Sequence, residues 1–227
     1  GSFRLISKEN GGHGSTINRG ILEARGKYFK VVDGDDWVDT SGLRELIRRL
    51  RTCEADYVFT NYYEVNDGTG ERKAVTYPGI PTEREMPFES IAGQTRISMH
   101  ALVIRTSLLK ENRIRLDEHC FYVDVEYILY PVPYVETVIY YDIFVYMYRL
   151  AQAAQSVSIL GYQKHIQNHI DVIFHVLDYI NEYKRQPGYD LKKADYMAMR
   201  IAEMTHDQVD IFTSFPVSDR SIRRRFR

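Results

Sequence analysis

The stretch Tyr28 to Asp39, YFKVVDGDDWVD, places Asp33, Asp35 and Asp36 within four residues of one another, directly after an apolar β-branched run. Ionised carboxylates this close repel each other, and a bound divalent cation is the usual compensation. At the end of a strand in an α/β sheet, such a cation most often holds nucleotide phosphates. Upstream, Asn10-Gly11-Gly12-His13-Gly14 precedes a helical stretch, and its backbone N–H groups and helix dipole could cradle phosphate. The residues therefore read first as a site for a metal and a phosphate.

Competing readings of the acidic residues are a solvated turn, with Asp36 or Asp39 capping the next helix, and two known metal or phosphate motifs. An EF-hand fits poorly because Trp37 falls in a ligand position and the glycine is misplaced. A dehalogenase-type phosphatase would use Asp33 as nucleophile. Trp37, however, stands where that chemistry wants threonine or valine, and a βα unit precedes the strand.

The elements that must position these groups follow from periodicity. Phe3 to Ser7 alternates as a short strand, Ser15 is a candidate N-cap for a helix to Arg25, and Tyr28 to Val32 forms the next strand. This order predicts a βαβ unit with parallel strands. Thr40 or Ser41 caps a second helix. Asp56 to Val65 and Arg72 to Tyr77 form a hairpin about Asp67-Gly68-Thr69-Gly70, and Thr76 to Pro87 reads as a mobile, proline-punctuated loop. His100 to Ile104 is a strand, Thr106 to Asn112 a short helix and Val123 to Tyr130 another. Val135 to Tyr141 and Phe144 to Tyr148 read as two strands. Helices over Leu160 to Lys184 and Leu191 to Phe212 form an α-helical C-terminal region.

Composition narrows the class. The 227-residue chain can bury one core, and a formal net charge of -1 gives no global field for nucleic acid. Cys53 and Cys120 read as reduced thiols in packing positions, consistent with a cytoplasmic protein. No apolar run is long enough to span a bilayer. His165 and His169, spaced i, i+4, could ligate metal but lack a third partner, so a solvated helix face is the expectation. The terminal RSIRRRFR, Arg220 to Arg227, reads as a solvated tail or a peripheral contact with an anionic membrane.

Two segments resemble family 2 glycosyltransferases. KENGGHGSTINRGILEARGKYFKVVDGDDWVD is similar to the stretch in which an N-x-G loop, a helix and an A-x-G-x-Y turn precede the D-x-D strand. FYVDVEYILYPVPYVETVIYYDIFVYMYRLAQAAQSVS resembles the second half, where an acidic helix is followed by strands and a Y-R…Q-S-V-S segment. The resemblance implies an α/β fold of GT-A type: a Rossmann-like mixed sheet flanked by helices over residues 3–158, with a helical region over 159–227. It also implies inverting transfer of a sugar from a nucleotide diphosphate donor to a saccharide or polyol-phosphate acceptor, in bacterial surface polysaccharide or wall polymer synthesis at the inner face of the membrane. Carried over by position, Asp33 contacts the donor's ribose or sugar, Asp35 ligates Mg2+ or Mn2+, and Asp36 supports them. Asp124 is the general base, with Glu126 the alternative because Val123 replaces the family's usual glutamate. Asn10, Gly12 and His13 join the donor side, and Arg149 and Gln155 lie near donor or acceptor. The family's opening strands, which complete the nucleoside pocket, have no counterpart here. The resemblance therefore begins near the third strand, and weak or no turnover is expected. A non-catalytic acceptor-binding or assembly module is the remaining alternative.

Overall fold

The computed structural model describes residues 3–150 and 158–215. In chain order the elements are α1 (Gly12–Glu23), β1 (Tyr28–Phe29), β2 (Trp37–Val38), α2 (Thr40–Leu50), β3 (Tyr57–Asn66), β4 (Arg72–Val75), β5 (Glu85–Pro87), β6 (Leu102–Arg105), α3 (Thr106–Glu111), α4 (Asp124–Leu129), β7 (Thr137–Leu150), α5 (Ile159–Lys164), α6 (Ile166–Lys184) and α7 (Leu191–Thr213). The sheet runs β1-β6-β3-β7-β2, with β4 paired to β3 and β5 to β7. Among the described strands β3 and β7 pair parallel and the other pairs antiparallel, so the sheet is mixed.

Side chains alternate across the central strands with the period-two geometry of a pleat. Tyr57 and Phe59 enter the larger core with Leu102, Ile104, Val138, Tyr140 and Tyr146, which α1, α3, α4, α6 and α7 close. Val58 enters the opposite core with Val103, Ile139, Tyr141 and Val145, which α2 covers through Leu46. A helical layer thus lies on each face of the sheet.

Several sequence expectations are corrected. Phe3 to Ser7 forms no strand; Phe3 and Leu5 are almost fully exposed, and β1 pairs antiparallel with β6. Alternation alone does not make a strand without a ladder partner, so the parallel βαβ unit is absent among the described residues. Helix α1 starts at Gly12, not after Ser15, with the Asn10 side chain accepting from Gly12 N at 3.1 Å. Asp39, not Thr40 or Ser41, caps α2, accepting from Gly42 N at 2.7 Å. The two strands expected on either side of Asp142 are one strand, β7, with a register shift opposite Thr60 to Tyr62. Residues 76–87 do not form a loose loop: Tyr77, Ile80 and Met86 are buried and β5 pairs with β7. The helix across His165 is broken there into α5 and α6.

Candidate functional site

The acidic residues sit on a turn that crosses from β1, at one end of the sheet, to β2, at the other. Asp36 N donates to Asp33 O at 3.2 Å, which closes the turn. The turn is fastened to the last third of β7. Asp33 N donates to the Tyr146 hydroxyl at 3.1 Å, and that hydroxyl donates to Asp36 Oδ2 at 2.5 Å. Asp36 Oδ1 accepts from Arg149 N at 2.7 Å, and the Arg149 guanidinium lies 5.2 Å from the Trp37 ring centroid. Arg149, expected near the donor, therefore holds Asp36 through its backbone and covers Trp37 with its side chain.

His13, in the first turn of α1, brings Nε2 to 3.0 Å from Asp33 Oδ1. The Asp33 carboxylate raises the His13 pKa, outweighing the cost of burial, with Asp124 and Asp35 adding in the same direction. Burial works against ionised Asp33, but His13 overrides it and holds the carboxyl below its ordinary value. Asp36 behaves oppositely: burial pushes it up to about 6 despite its two hydrogen bonds. Asp35, at the tip of the turn, is exposed.

Asp33, Asp36 and His100 each place one candidate ligand atom within 4.8 Å of the others. His100 was not singled out from sequence; a lone histidine before a strand carries no local signature. Its ring stacks on Tyr148 at 3.8 Å, its Nδ1 lies 2.9 Å from Ser98 Oγ, and burial lowers it to about 4. It is thus a neutral imidazole at physiological pH, the form that ligates metal. Lys30, also unforeseen, donates to His100 O at 2.7 Å and lies 5.1 Å from the Tyr146 ring centroid; burial lowers its pKa to about 7.

Asp124 starts α4, and burial raises its pKa while Arg200 and His13 oppose that rise. Glu126 is fully buried and turned to other partners: its Oε2 accepts from Asp117 N at 2.7 Å. The glycines at the start of α1 serve close packing. A Cβ on Gly14 would fall 2.0 Å from Asp117 O, and His119 N donates to Gly11 O at 2.6 Å. Asn18 clamps the same loop, donating to Leu116 O and accepting from Leu116 N, both at 2.9 Å. Position 155 and the basic C-terminus lie outside the described residues. The paired histidines are not a solvated face: His169 is buried with Nδ1 2.8 Å from Gln208 Oε1, and His165 stacks on Phe121. Both cysteines are free and buried. No described helix is long and apolar enough to cross a membrane.

Residues 1–111 match the model of the family described as "Glycosyl transferase family 2". The chain is 27% identical over 154 residues to the EpsH glycosyltransferase of Bacillus subtilis, covering 61% of this chain and 44% of that protein. It is 35% identical over 68 residues to glycosyltransferase GlyG of Streptococcus pneumoniae, covering 30% of this chain and 23% of GlyG. Among solved structures, S. aureus TarS 1-349 in complex with UDP-GlcNAc superposes with a TM-score of 0.50 at 17% identity, covering 94% of this chain and 56% of TarS 1-349. The complex of the same fragment with UDP gives 0.51 at 16% identity, covering 89% of this chain and 55% of that one. The chain thus spans less than half the length of these curated relatives and about half of these TarS chains. The sheet with helices on both faces is similar to the GT-A arrangement of TarS, and the family match favours the glycosyltransferase reading over the phosphatase one. Just under half of the chain thus matches glycosyltransferase family 2, and the chain as a whole is similar in fold to TarS.

Proposed function

We propose that the chain forms the core of a metal-dependent, inverting transferase that moves a sugar from a uridine diphosphate donor to an acceptor hydroxyl. The acceptor would be a saccharide or polyol phosphate in bacterial surface polymer synthesis, handled at the inner face of the membrane. The observation that carries this reading is the position of His13, paired with Asp33 and within electrostatic reach of Asp124. It links the acidic turn to the carboxylate at the head of α4. The UDP and UDP-GlcNAc complexes of TarS support the donor class.

Asp33, Asp36 and His100 offer two carboxylates and a neutral imidazole, a donor set that suits Mn2+ and can accept Mg2+. Exposed Asp35 is available to an ion that arrives with the diphosphate. Bound there, the ion would neutralise charge growing on the leaving diphosphate. Asp124 takes the proton of the acceptor hydroxyl as its oxygen bonds to the anomeric carbon, while the bond from that carbon to the diphosphate breaks on the opposite face. Burial raises the basicity of Asp124 and Asp33 adds to the rise, while Arg200 and His13 oppose it. Turnover by this chain is expected to be weak, and any release of UDP from a UDP-sugar should require both Mn2+ and acceptor. Metal-independent release at the same rate would contradict the proposal.

The pH dependence has a defined sign. Asp36 is held up to about 6, against an ordinary 3.8, so a proton competes with the metal for its carboxylate below about pH 6. Mn2+ affinity should fall by up to about tenfold per pH unit below that point and level off above it. In metal-free protein the same group acts oppositely. The folded state keeps the proton more tightly than the unfolded chain, so stability should decline as pH rises from 3.8 towards 6. Calorimetric Mn2+ titrations between pH 5 and 8 check the first statement, and thermal melts in chelator check the second.

A further inference from the structure

A second cluster lies apart from the acidic turn and takes no part in the proposed reaction. Asp117 comes from the loop after α3, Glu126 from α4 and His175 from α6. One candidate ligand atom of each lies within 4.8 Å of the other two. His175 Nδ1 pairs with Asp117 Oδ2. Glu126 has no solvent exposure, and while its Oε2 accepts from Asp117 N at 2.7 Å, its Oε1 is buried with no hydrogen-bond partner. A carboxyl oxygen left without a partner in the interior is costly, and a bound cation would satisfy it.

We propose that Asp117, Glu126 and His175 form a second divalent-metal site, one that takes Zn2+ and pins α6 to the loop and helix bearing the catalytic base. One imidazole and two carboxylates are ligands that Zn2+ accepts, and the separations allow one ion to reach all three after small side-chain shifts. The bond from Asp117 N orients the Glu126 carboxylate, as a hydrogen bond to a metal ligand commonly does. The His175 side chain is 51% exposed, so the fourth position faces solvent and would hold water. On binding, Zn2+ would replace the contact between His175 Nδ1 and Asp117 Oδ2 and give Glu126 Oε1 its missing partner. The three ligands join segments 58 residues apart, so the ion would act as a structural clasp.

The test uses the chain stripped with chelator and carrying Asp33→Asn and Asp36→Asn, which silences the other cluster. Calorimetry with Zn2+ alone, with metal content by elemental analysis, should then give one ion per chain. His175→Ala and, separately, Glu126→Gln should weaken that binding by about 100-fold or abolish it. At Zn2+ one-hundredfold above its Kd, the melting temperature of the parent should rise by about 5–10 °C, and that of His175→Ala should not move. His175 is half exposed, so its alanine variant keeps the test valid if Glu126→Gln unfolds. Absence of Zn2+ binding to the Asp33→Asn, Asp36→Asn chain, or equal binding by His175→Ala, would overturn the site. Either outcome would leave the donor-side reading untouched.

Discussion

Replacing Asp124 with Asn should lower glycosyl transfer by about 10²–10⁴-fold, the range for loss of a general base, while leaving nucleotide diphosphate affinity unchanged. The asymmetry follows from where Asp124 sits. It heads α4, while the acidic turn is held by β7 and α1, and His13 lies within reach of both. Asn matches the shape of Asp but cannot take a proton at neutral pH. Binding of UDP with Mn2+ by calorimetry and transfer by detection of released UDP separate the two effects. A parallel loss of both would mean that Asp124 shapes the donor site. Full transfer by the variant would remove Asp124 from the base role.

The largest stability effect is expected at a glycine that carries no chemistry. Gly42, in the first turn of α2, presses on the backbone of β7: an added Cβ would fall 1.9 Å from Phe144 O and 2.9 Å from Phe144 C. Both are main-chain atoms of a central strand, so neither can swing aside. Gly42→Ala must push α2 off the sheet, at a cost of about 3 kcal/mol or more, a fall of roughly 6–12 °C in melting temperature. The damage should reach the site, because Asp39 caps α2 and its N–H donates to Val145 O at 2.8 Å, directly after β2 and the acidic turn. Gly34→Ala is the control. Its Cβ would meet nothing within 4 Å, and the substitution should change the melting temperature by only about 1–2 °C. Thermal unfolding followed by circular dichroism reads both variants. Equal melting temperatures would contradict the tight packing of α2 on β7.

What the sequence made legible was whatever local chemistry writes locally. The hairpin of β3 and β4 was readable because two strand-like runs flank Asp67-Gly68-Thr69-Gly70, and α7 because its apolar residues recur at helical spacing. The acidic turn stood out by residue type alone. Other features depend on neighbours that no short window contains. Phe3 to Ser7 alternates like a strand but finds no ladder partner, and the close packing of the glycine loop against the loop at Asp117 and His119 has no local signal. Asp142 seemed to separate two strands, whereas β7 absorbs it in a register shift. His100 joins Asp33 and Asp36 only because β6 lies between β1 and β3 in the sheet. Tyr146, which fastens the turn, lies 110 residues from Asp36. Family resemblance supplied roles for individual aspartates; the fold supplied the groups that hold them.

The central claim is that the turn carrying Asp33, Asp35 and Asp36, with His100 beneath it, is where metal and donor diphosphate meet. Titrating the chain with UDP by calorimetry, in Mn2+ and again in excess chelator, tests this most directly when repeated on Asp33→Asn, Asp36→Asn protein. The account predicts UDP binding that requires Mn2+ and is weakened at least about tenfold in the double variant, with an unchanged circular dichroism spectrum. Mn2+-dependent UDP binding of equal strength in the double variant would contradict it.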